Sequence, residues 1–206
     1  SENTKKDLYK FYPRLDKKVK VIYNGVSEKF KILSNHKKFN NRILYVGDRK
    51  KYKNFGVLVN SIKNETFYSL DIVGGGKLTK SEINKLKGID FIHHKNISDD
   101  KLNQLYNQSH ALVYPSSYEG FGLPIIEAFR AGCPVICSSE SSTGEIAKNF
   151  AITGAISTDF IINSLNKLKQ NDFRKNLIEG AFKESLKYSW DKCARQTFEA
   201  YKSIIW

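Results

Sequence analysis

Two carboxylates, Glu119 and Glu127, stand eight positions apart on either side of a glycine-rich turn in YEGFGLPIIEAFRAG, residues 118–132. Gly120 and Gly122 lack a Cβ, so the main chain there is free to take positive φ and bring its N–H groups close to a ligand. Leu123 and Pro124 then begin a helix, with proline in the first turn, where its missing N–H costs nothing. The unpaired N–H groups of a helix N-terminus favour phosphate. Glu119 stays in the loop and Glu127 sits about one turn inside the helix, so the two carboxylates flank whatever the turn holds. Carboxylates accept hydrogen bonds from paired hydroxyls. The arrangement suits a ligand with an anionic middle and hydroxyl-rich ends. A plainer alternative pairs Glu127 with Arg130 at i,i+3 on a solvated helix face, a contact worth about 0.3 kcal/mol.

Other residues with chemistry to offer also follow short apolar runs. Gly74, Gly75 and Gly76 make either a phosphate-contacting loop or a tight strand-to-helix turn. Lys53 is either a cation for an anionic ligand or an ordinary surface lysine of a lysine-rich chain. His93 and His94 read as strand-end residues, since no acidic partner lies at a telling spacing. Phe121 reads as packed beneath the turn rather than stacked on a base. Cys133, Cys137 and Cys193 are odd in number and lack zinc-ligand spacing, which implies reduced core thiols and no metal site.

The elements that must position these residues alternate along the chain. Apolar runs occur as VKVIYN near residue 20, RILYVG from Arg42, FYSLDIVG from Phe67, DFIHH from Asp90, HALVYP from His110, PVICSS from Pro134 and AITGAI from Ala151. Between them, helices are expected over 54–63, 79–87, 99–108, 123–131 and 142–149. This is the α/β pattern of a Rossmann-like, doubly wound parallel sheet with helices on both faces. After about Thr158 only C-terminal helices follow. One carries the stripe Phe173, Leu177, Phe182 and Leu186, the other the stripe Trp190, Ala194, Phe198, Tyr201 and Ile205. The first twelve residues read as a helix that Pro13 ends. The polar and glycine-rich segments follow the runs, and in an open parallel sheet the loops beyond the carboxyl ends of the strands converge on one crevice.

Composition narrows the function classes. A chain of 206 residues with 40% hydrophobic content buries a core of its own. No apolar run reaches the ~20 residues of a membrane span. The N-terminus, SENTKKDLYK, lacks the apolar segment of a signal peptide, so the chain reads as soluble and cytoplasmic. The formal charge of +13 comes from lysines scattered in ones and twos, such as Lys17, Lys18, Lys37, Lys38, Lys50 and Lys51. A solvated surface with a few cations in a phosphate pocket accounts for them. Peripheral contact with the inner face of a membrane is the next reading, ahead of nucleic acid, for which no aromatic signature or recognition helix is present.

With the loops placed, the chain resembles the carboxy-terminal, donor-binding half of retaining GT-B glycosyltransferases, the group 1 or family 4 set. The resemblance begins at VIYNGV, runs through ILYVGDRKKYKNF, LDIVGGGK and ISDDKLNQLYNQSHALVYPSSYEGFGLPIIEAFRAGCPVICSS, and ends at YSWDKCARQTFEAY. It implies that residues 1–25 are the tail of an N-terminal acceptor domain plus the linker, and that 26–206 are the nucleotide-sugar-binding domain. It implies that Glu127 binds ribose hydroxyls and that Glu119 faces the hydroxyls of the transferred sugar. The turn at Gly120, Phe121, Gly122 and Leu123 would meet the distal phosphate or sugar, and main-chain groups of Ile97 the base. An Arg and Lys pair binds the diphosphate in this family. Lys53 matches the Lys, whereas Asp48 stands at the usual Arg position, and Arg49 one residue later takes that role. No cofactor is implied beyond the substrate, a UDP- or GDP-linked sugar. In the family the C-terminal segment crosses back to the other domain, so some of Phe198, Tyr201, Ile204, Ile205 and Trp206 are expected to be exposed.

Two other functions compete. A nicotinamide-type dinucleotide domain on VGGG lacks the third glycine of G-x-G-x-x-G in GGGKLT. A non-enzymatic basic module for a nucleotide or a membrane would bind with strong salt dependence.

Overall fold

The structure, a computed structural model, describes residues 1–15, 19–34 and 41–205. Lys17, Lys18, Lys37, Lys38, Trp206 and the side chains of Ile204 and Ile205 lie outside what is described. In chain order the elements are α1 (Glu2–Phe11), β1 (Arg42–Val46), α2 (Phe55–Ile62), β2 (Ser69–Val73), α3 (Lys80–Leu86), β3 (Phe91–His94), α4 (Asp99–Gln108), β4 (Ala111–Tyr114), α5 (Leu123–Arg130), β5 (Val135–Ser138), α6 (Ser141–Ala147), β6 (Ile152–Gly154), α7 (Thr158–Lys167), α8 (Asn171–Ser185) and α9 (Trp190–Ile205). The six strands form one parallel sheet in the order β3-β2-β1-β4-β5-β6. This is the doubly wound α/β sheet expected from the alternation of runs and amphipathic stretches.

The sequences of the central strands explain their place. All residues of β2, β4 and β5 are buried, as parallel strands covered on both faces must be. Successive side chains go to opposite layers. Ile43, Tyr45, Leu70, Ile72 and Val113 pack with Leu58 and Ile62 of α2, Leu86 of α3 and Leu165 of α7. Leu44, Leu112, Tyr114, Val135 and Cys137 pack with Tyr106 of α4, Ile125 and Phe129 of α5, Ile146 of α6 and Ala181 of α8. Each such aliphatic side chain contributes about 1.5–3 kcal/mol by burial. Helix starts are set locally. Thr79 and Glu82 form a reciprocal capping box at α3, and Ser98 caps α4 through the N–H of Lys101.

Two expectations change. VKVIYN forms no strand, since β3 and β6 are the sheet edges and neither pairs with it. Instead Tyr23 packs its ring on Phe121 at 5.8 Å and on Tyr188 at 6.0 Å. Gly25 runs so close to the start of α9 that a Cβ would lie 2.2 Å from the Trp190 nitrogen. On α8 the stripe is rotated. Phe173 and Leu177 pack on the core and Ala181 is buried, while Leu186 is 54% exposed. Along α9, Trp190, Phe198 and Tyr201 are exposed. Among the described residues no helix is long and apolar enough to cross a membrane.

Candidate functional site

The sheet order reverses between β1 and β4, so the connections leaving these two neighbours diverge and open a crevice at their carboxyl ends. The loop after β1 ends in a single 3₁₀ turn, Lys51–Lys53, followed by Asn54 in the left-handed region at φ 51°. Asparagine tolerates that conformation better than most residues, and here its side chain has a use. Asn54 Nδ2 donates to the Pro115 carbonyl at 3.0 Å, and both the N–H and Oγ of Ser117 donate to the Tyr52 carbonyl at 2.9 and 3.0 Å. These bonds stitch the β1 and β4 loops together across the crevice.

Lys53 is thereby carried into the site. Its Nζ lies 2.5 Å from Oε1 of Glu119, and both side chains are nearly buried, at 11% and 14% exposure. The ammonium also lies over the rings of Tyr52 and Tyr114, at 5.4 and 5.5 Å. Burial and the neighbouring Glu119 carboxylate push the Tyr114 phenol well above its usual range. Two serines at the head of α6 fix the Glu119 main chain. Ser141 Oγ accepts from its N–H at 3.2 Å and Ser142 Oγ donates to its carbonyl at 2.6 Å.

Beyond Glu119 the turn behaves as its glycines suggest, with one distinction. Gly122, which caps α5, needs its glycine, at φ 103°, whereas Gly120 does not take positive φ. Among the described residues the N–H groups of Phe121, Gly122 and Leu123 donate to no protein acceptor. They are the orphan donors of a helix start. The Phe121 ring is buried under the turn against Tyr23 and Tyr188.

Glu127 sits one turn along α5. Arg130 is not its partner, because that guanidinium donates to Ser185 Oγ and to the carbonyls of Ser185 and Tyr188. The fully buried Tyr106 donates its hydroxyl to Oε2 of Glu127 at 2.9 Å. Burial raises the Glu127 carboxyl to about 7, against the pull of the Tyr106 hydrogen bond toward lower values. Ile97, between β3 and α4, is partly buried, and its main-chain N–H donates to no protein acceptor among the described residues.

Arg49 and Lys53 are treated very differently by the fold. Arg49 Nε donates to Glu82 at 2.8 Å, and its terminal nitrogens donate to the carbonyls of Gly74 (3.0 Å), Gly76 (2.8 Å) and Lys77 (3.2 Å). Its side chain is only 5% exposed. Gly74 and Gly75 take φ of 84° and 61°, and a Cβ on Gly75 would meet Arg49 Nη1 at 2.4 Å. The glycine loop is thus wrapped around the guanidinium. His94 does have an acidic partner, since its Nε2 lies 2.6 Å from Asp71, which also receives Arg42 Nε at 2.6 Å. His93 Nε2 lies 3.1 Å from the Gly74 carbonyl.

The sequence reading missed Asn54, Tyr106, Tyr114, Ser141 and Ser142. Asn54 carried a usable signal, an asparagine directly after the candidate lysine and before an apolar helix, where left-handed caps occur. Tyr106 shares a helical face with Leu102 and Leu105, so periodicity marks it as core and hides its hydroxyl.

Comparison with known proteins converges on one group. A family model described as "Glycosyl transferases group 1" matches residues 26–184. The chain is 34% identical over 110 residues to the O-antigen chain mannosyltransferase B of Escherichia coli, a match covering 52% of this chain and 29% of that protein. Its fold is similar to sucrose-phosphate synthase from Thermosynechococcus elongatus, with a TM-score of 0.85 at 19% identity, over 100% of this chain and 57% of the other. It is also similar to Anabaena HepE, solved in complex with UDP and glucose, with a TM-score of 0.76 at 16% identity over 89% and 56% of the respective chains. The chain therefore spans less than two thirds of the length of each, and its doubly wound sheet corresponds to one half of the GT-B fold.

Proposed function

We propose, from the premise that this chain belongs to the group 1 glycosyl transferases, that it is the half that binds a UDP- or GDP-linked hexose. In the whole protein the hexose would pass to a glycan or lipid-linked acceptor with retention at the anomeric carbon. The observation that carries this reading is the meeting of the Lys53 and Glu119 pair with the three unpaired N–H groups at the head of α5, with Glu127 one turn further. The relative that acts in O-antigen synthesis supports a cell-surface polysaccharide as the product and mannose as the first hexose to test. The neighbour solved with UDP and glucose supports a nucleoside diphosphate in the crevice.

Each residue then has a physical task. The diphosphate lies over the turn, where the N–H groups of Phe121, Gly122 and Leu123 and the Lys53 ammonium neutralise it. This matters most as the sugar–phosphate bond breaks and negative charge collects on the leaving group, because preorganised donors need no reorganisation at that moment. Lys53 exchanges Glu119 for phosphate, and Glu119 becomes free to accept hydroxyls of the sugar. Glu119 is a sugar-positioning residue. Glu127 accepts the ribose diol, and the Ile97 main chain meets the base. Arg49 serves the diphosphate through the loop that it holds. The acceptor is held by the N-terminal domain of the same polypeptide, on the cytoplasmic side, with scattered lysines available for peripheral contact with an anionic membrane face.

Melting temperature in UDP, GDP, ADP and NAD tests the reading. A ligand at about 100 times its dissociation constant adds ~2.7 kcal/mol, several degrees for a chain of this size. Stabilisation by UDP or GDP is expected. No shift with any nucleoside diphosphate, or an equal shift in Glu127→Ala, overturns it.

A further inference from the structure

We propose that Tyr106 is a positioning residue for donor recognition: its buried hydroxyl holds Oε2 of Glu127 so that the carboxylate presents its remaining lone pairs to a ribose diol. The proposal rests on the donor-site reading above and adds to it a residue from a different helix. The argument begins with the rigidity of the tyrosine. Tyr106 is fully buried on α4, its ring edge-on to Phe30 at 5.9 Å. Residues on either side of it lock the helix to the segment before β1. Asn103 Oδ1 accepts from the Lys31 N–H at 3.1 Å, Asn107 Oδ1 from the Leu33 N–H at 2.9 Å, and Asn107 Nδ2 donates to the Lys31 carbonyl at 2.9 Å. The hydroxyl therefore has a fixed position. Its one hydrogen-bond partner among the described residues is Glu127.

The carboxylate, in turn, has no other protein hydrogen bond among the described residues. A carboxylate offers about four lone-pair sites on two oxygens, and Tyr106 takes one. Oε1 and the second lone pair of Oε2 are left for two adjacent hydroxyls. Without the phenol, the side chain of Glu127 would be a half-buried carboxylate with no protein donor among the described residues, which favours the protonated form or another rotamer. Among the described residues, two titratable groups act on Glu127. Tyr106 faces it from α4, and Asp99 acts from the first turn of the same helix, 3.5 Å from Lys29. Arg130 on α5 is turned away to the α8 end. Burial and Asp99 favour the proton, and Tyr106 opposes it.

The test uses isothermal titration of the 206-residue chain with UDP, GDP and their 2′-deoxy forms between pH 5.5 and 8.5, for the wild type, Tyr106→Phe and Glu127→Gln. The wild type should bind the ribo form of one of these nucleotides more tightly than the deoxy form, with affinity falling as pH drops through about 7, where Glu127 takes up its proton. Tyr106→Phe should bind about tenfold more weakly at pH 7, as expected for loss of a hydrogen bond to a charged group. The informative readouts are two that a merely structural tyrosine would not move. The pH midpoint should rise, since the bond that lowers the Glu127 carboxyl is gone, and the preference for ribose over deoxyribose should shrink. Glu127→Gln should lose both the pH dependence and the ribose preference. If Tyr106→Phe keeps the wild-type midpoint and ribose preference, the proposal is overturned while the donor site stands. If the wild type binds no nucleoside diphosphate, the donor-site reading fails first. A Tyr106→Phe chain that melts near wild type shows that weaker binding is not unfolding.

Discussion

Two glycine-rich loops flank the crevice, each with a basic residue four positions from the other in sequence, and the fold uses them in opposite ways. At Gly74–Lys77 the main-chain carbonyls turn inward onto Arg49, so the cation is enclosed by the loop and tied to Glu82. At Phe121–Leu123 the main-chain N–H groups are left unpaired, and the cation beside them, Lys53, is held by a single carboxylate. A loop that presents carbonyls stabilises a resident cation. A loop that presents N–H groups is made for an anion that comes and goes. Glycine content alone does not distinguish them; the direction of the peptide planes does.

The sharpest way to break the comparison is to remove the enclosed cation. Arg49→Ala leaves Oε1 of Glu82 and three carbonyls without the guanidinium, and breaking a nearly buried pair from one side costs about 3–4 kcal/mol. A fall in melting temperature of roughly 10 °C is expected. The folded fraction should keep nucleoside diphosphate affinity within about tenfold, the scale of a single indirect effect. An unchanged melting temperature with binding abolished would place Arg49 on the phosphate instead, as the family pattern suggests.

Lys53→Ala should do the reverse. The loss is in affinity, about 2–3 kcal/mol or roughly 30- to 150-fold, because the proposed charge-assisted hydrogen bond to phosphate disappears. The melting temperature of the free chain should fall by less than in Arg49→Ala, since Lys53 donates one hydrogen bond to the protein where Arg49 donates four. Titration calorimetry and thermal melts on both variants, side by side, decide whether the two cations are as different as their surroundings.

How far the sequence carried this contrast depends on what periodicity can see. The alternation of runs and helices is dictated by which side chains are buried, so the sheet, the helices from Phe55 to Arg130 and the convergence of loops on one end were all readable. Spacing around the glycine turn singled out Gly122 and Glu127, and the family resemblance singled out Lys53. It could not say that the Arg49 guanidinium faces carbonyls, because that follows from φ of 84° and 61° at Gly74 and Gly75, which only the packed loop determines. Nor could it pair His94 with Asp71 across neighbouring strands 23 positions apart, or Tyr106 with Glu127 across two helices. VKVIYN misled because an apolar run signals burial, and burial against Phe121 and Tyr188 serves as well as a place in a sheet.

A third effect, smaller than the loss of Arg49, tests whether the loop with the unpaired N–H groups carries a stability cost that the cation loop does not. The folded-state carboxyl of Glu127 titrates near 7 against an ordinary 4.5, so between these values the folded chain holds more protons than the unfolded one. Stability therefore declines as pH rises from about 4.5 to 7, and the penalty is complete above 7. Glu127→Gln removes it, and the ligand-free variant should be more stable than wild type by about 3 kcal/mol at pH 8, with the difference vanishing below pH 4. His110, lowered to about 4 by burial, changes stability in the opposite direction over this range, but it is common to both chains and cancels in the difference. A difference independent of pH would show that Glu127 is not titrating in the fold.

The smallest effect bears on the Lys53 and Glu119 pair itself. In the free chain Glu119 occupies the ammonium that the proposed diphosphate would need, at 2.5 Å and with both groups nearly buried. Binding must therefore exchange one anion for another, and the affinity for a bare nucleoside diphosphate is reduced by whatever the internal pair is worth. A close, nearly buried charge pair couples by about 1.5 kcal/mol at the low end, so Glu119→Gln should bind UDP or GDP about tenfold more tightly than wild type. The same substitution removes the carboxylate proposed to accept sugar hydroxyls, and the advantage of the nucleotide sugar over its bare nucleotide should shrink. Two opposite changes in one variant are hard to obtain from a general disturbance of the loop, which would weaken both ligands. If Glu119→Gln weakens the bare nucleotide, Glu119 acts by holding Lys53 in place for phosphate, and the two loops differ less than their hydrogen bonds suggest: in both, a carboxylate would then be fixing a cation rather than yielding it.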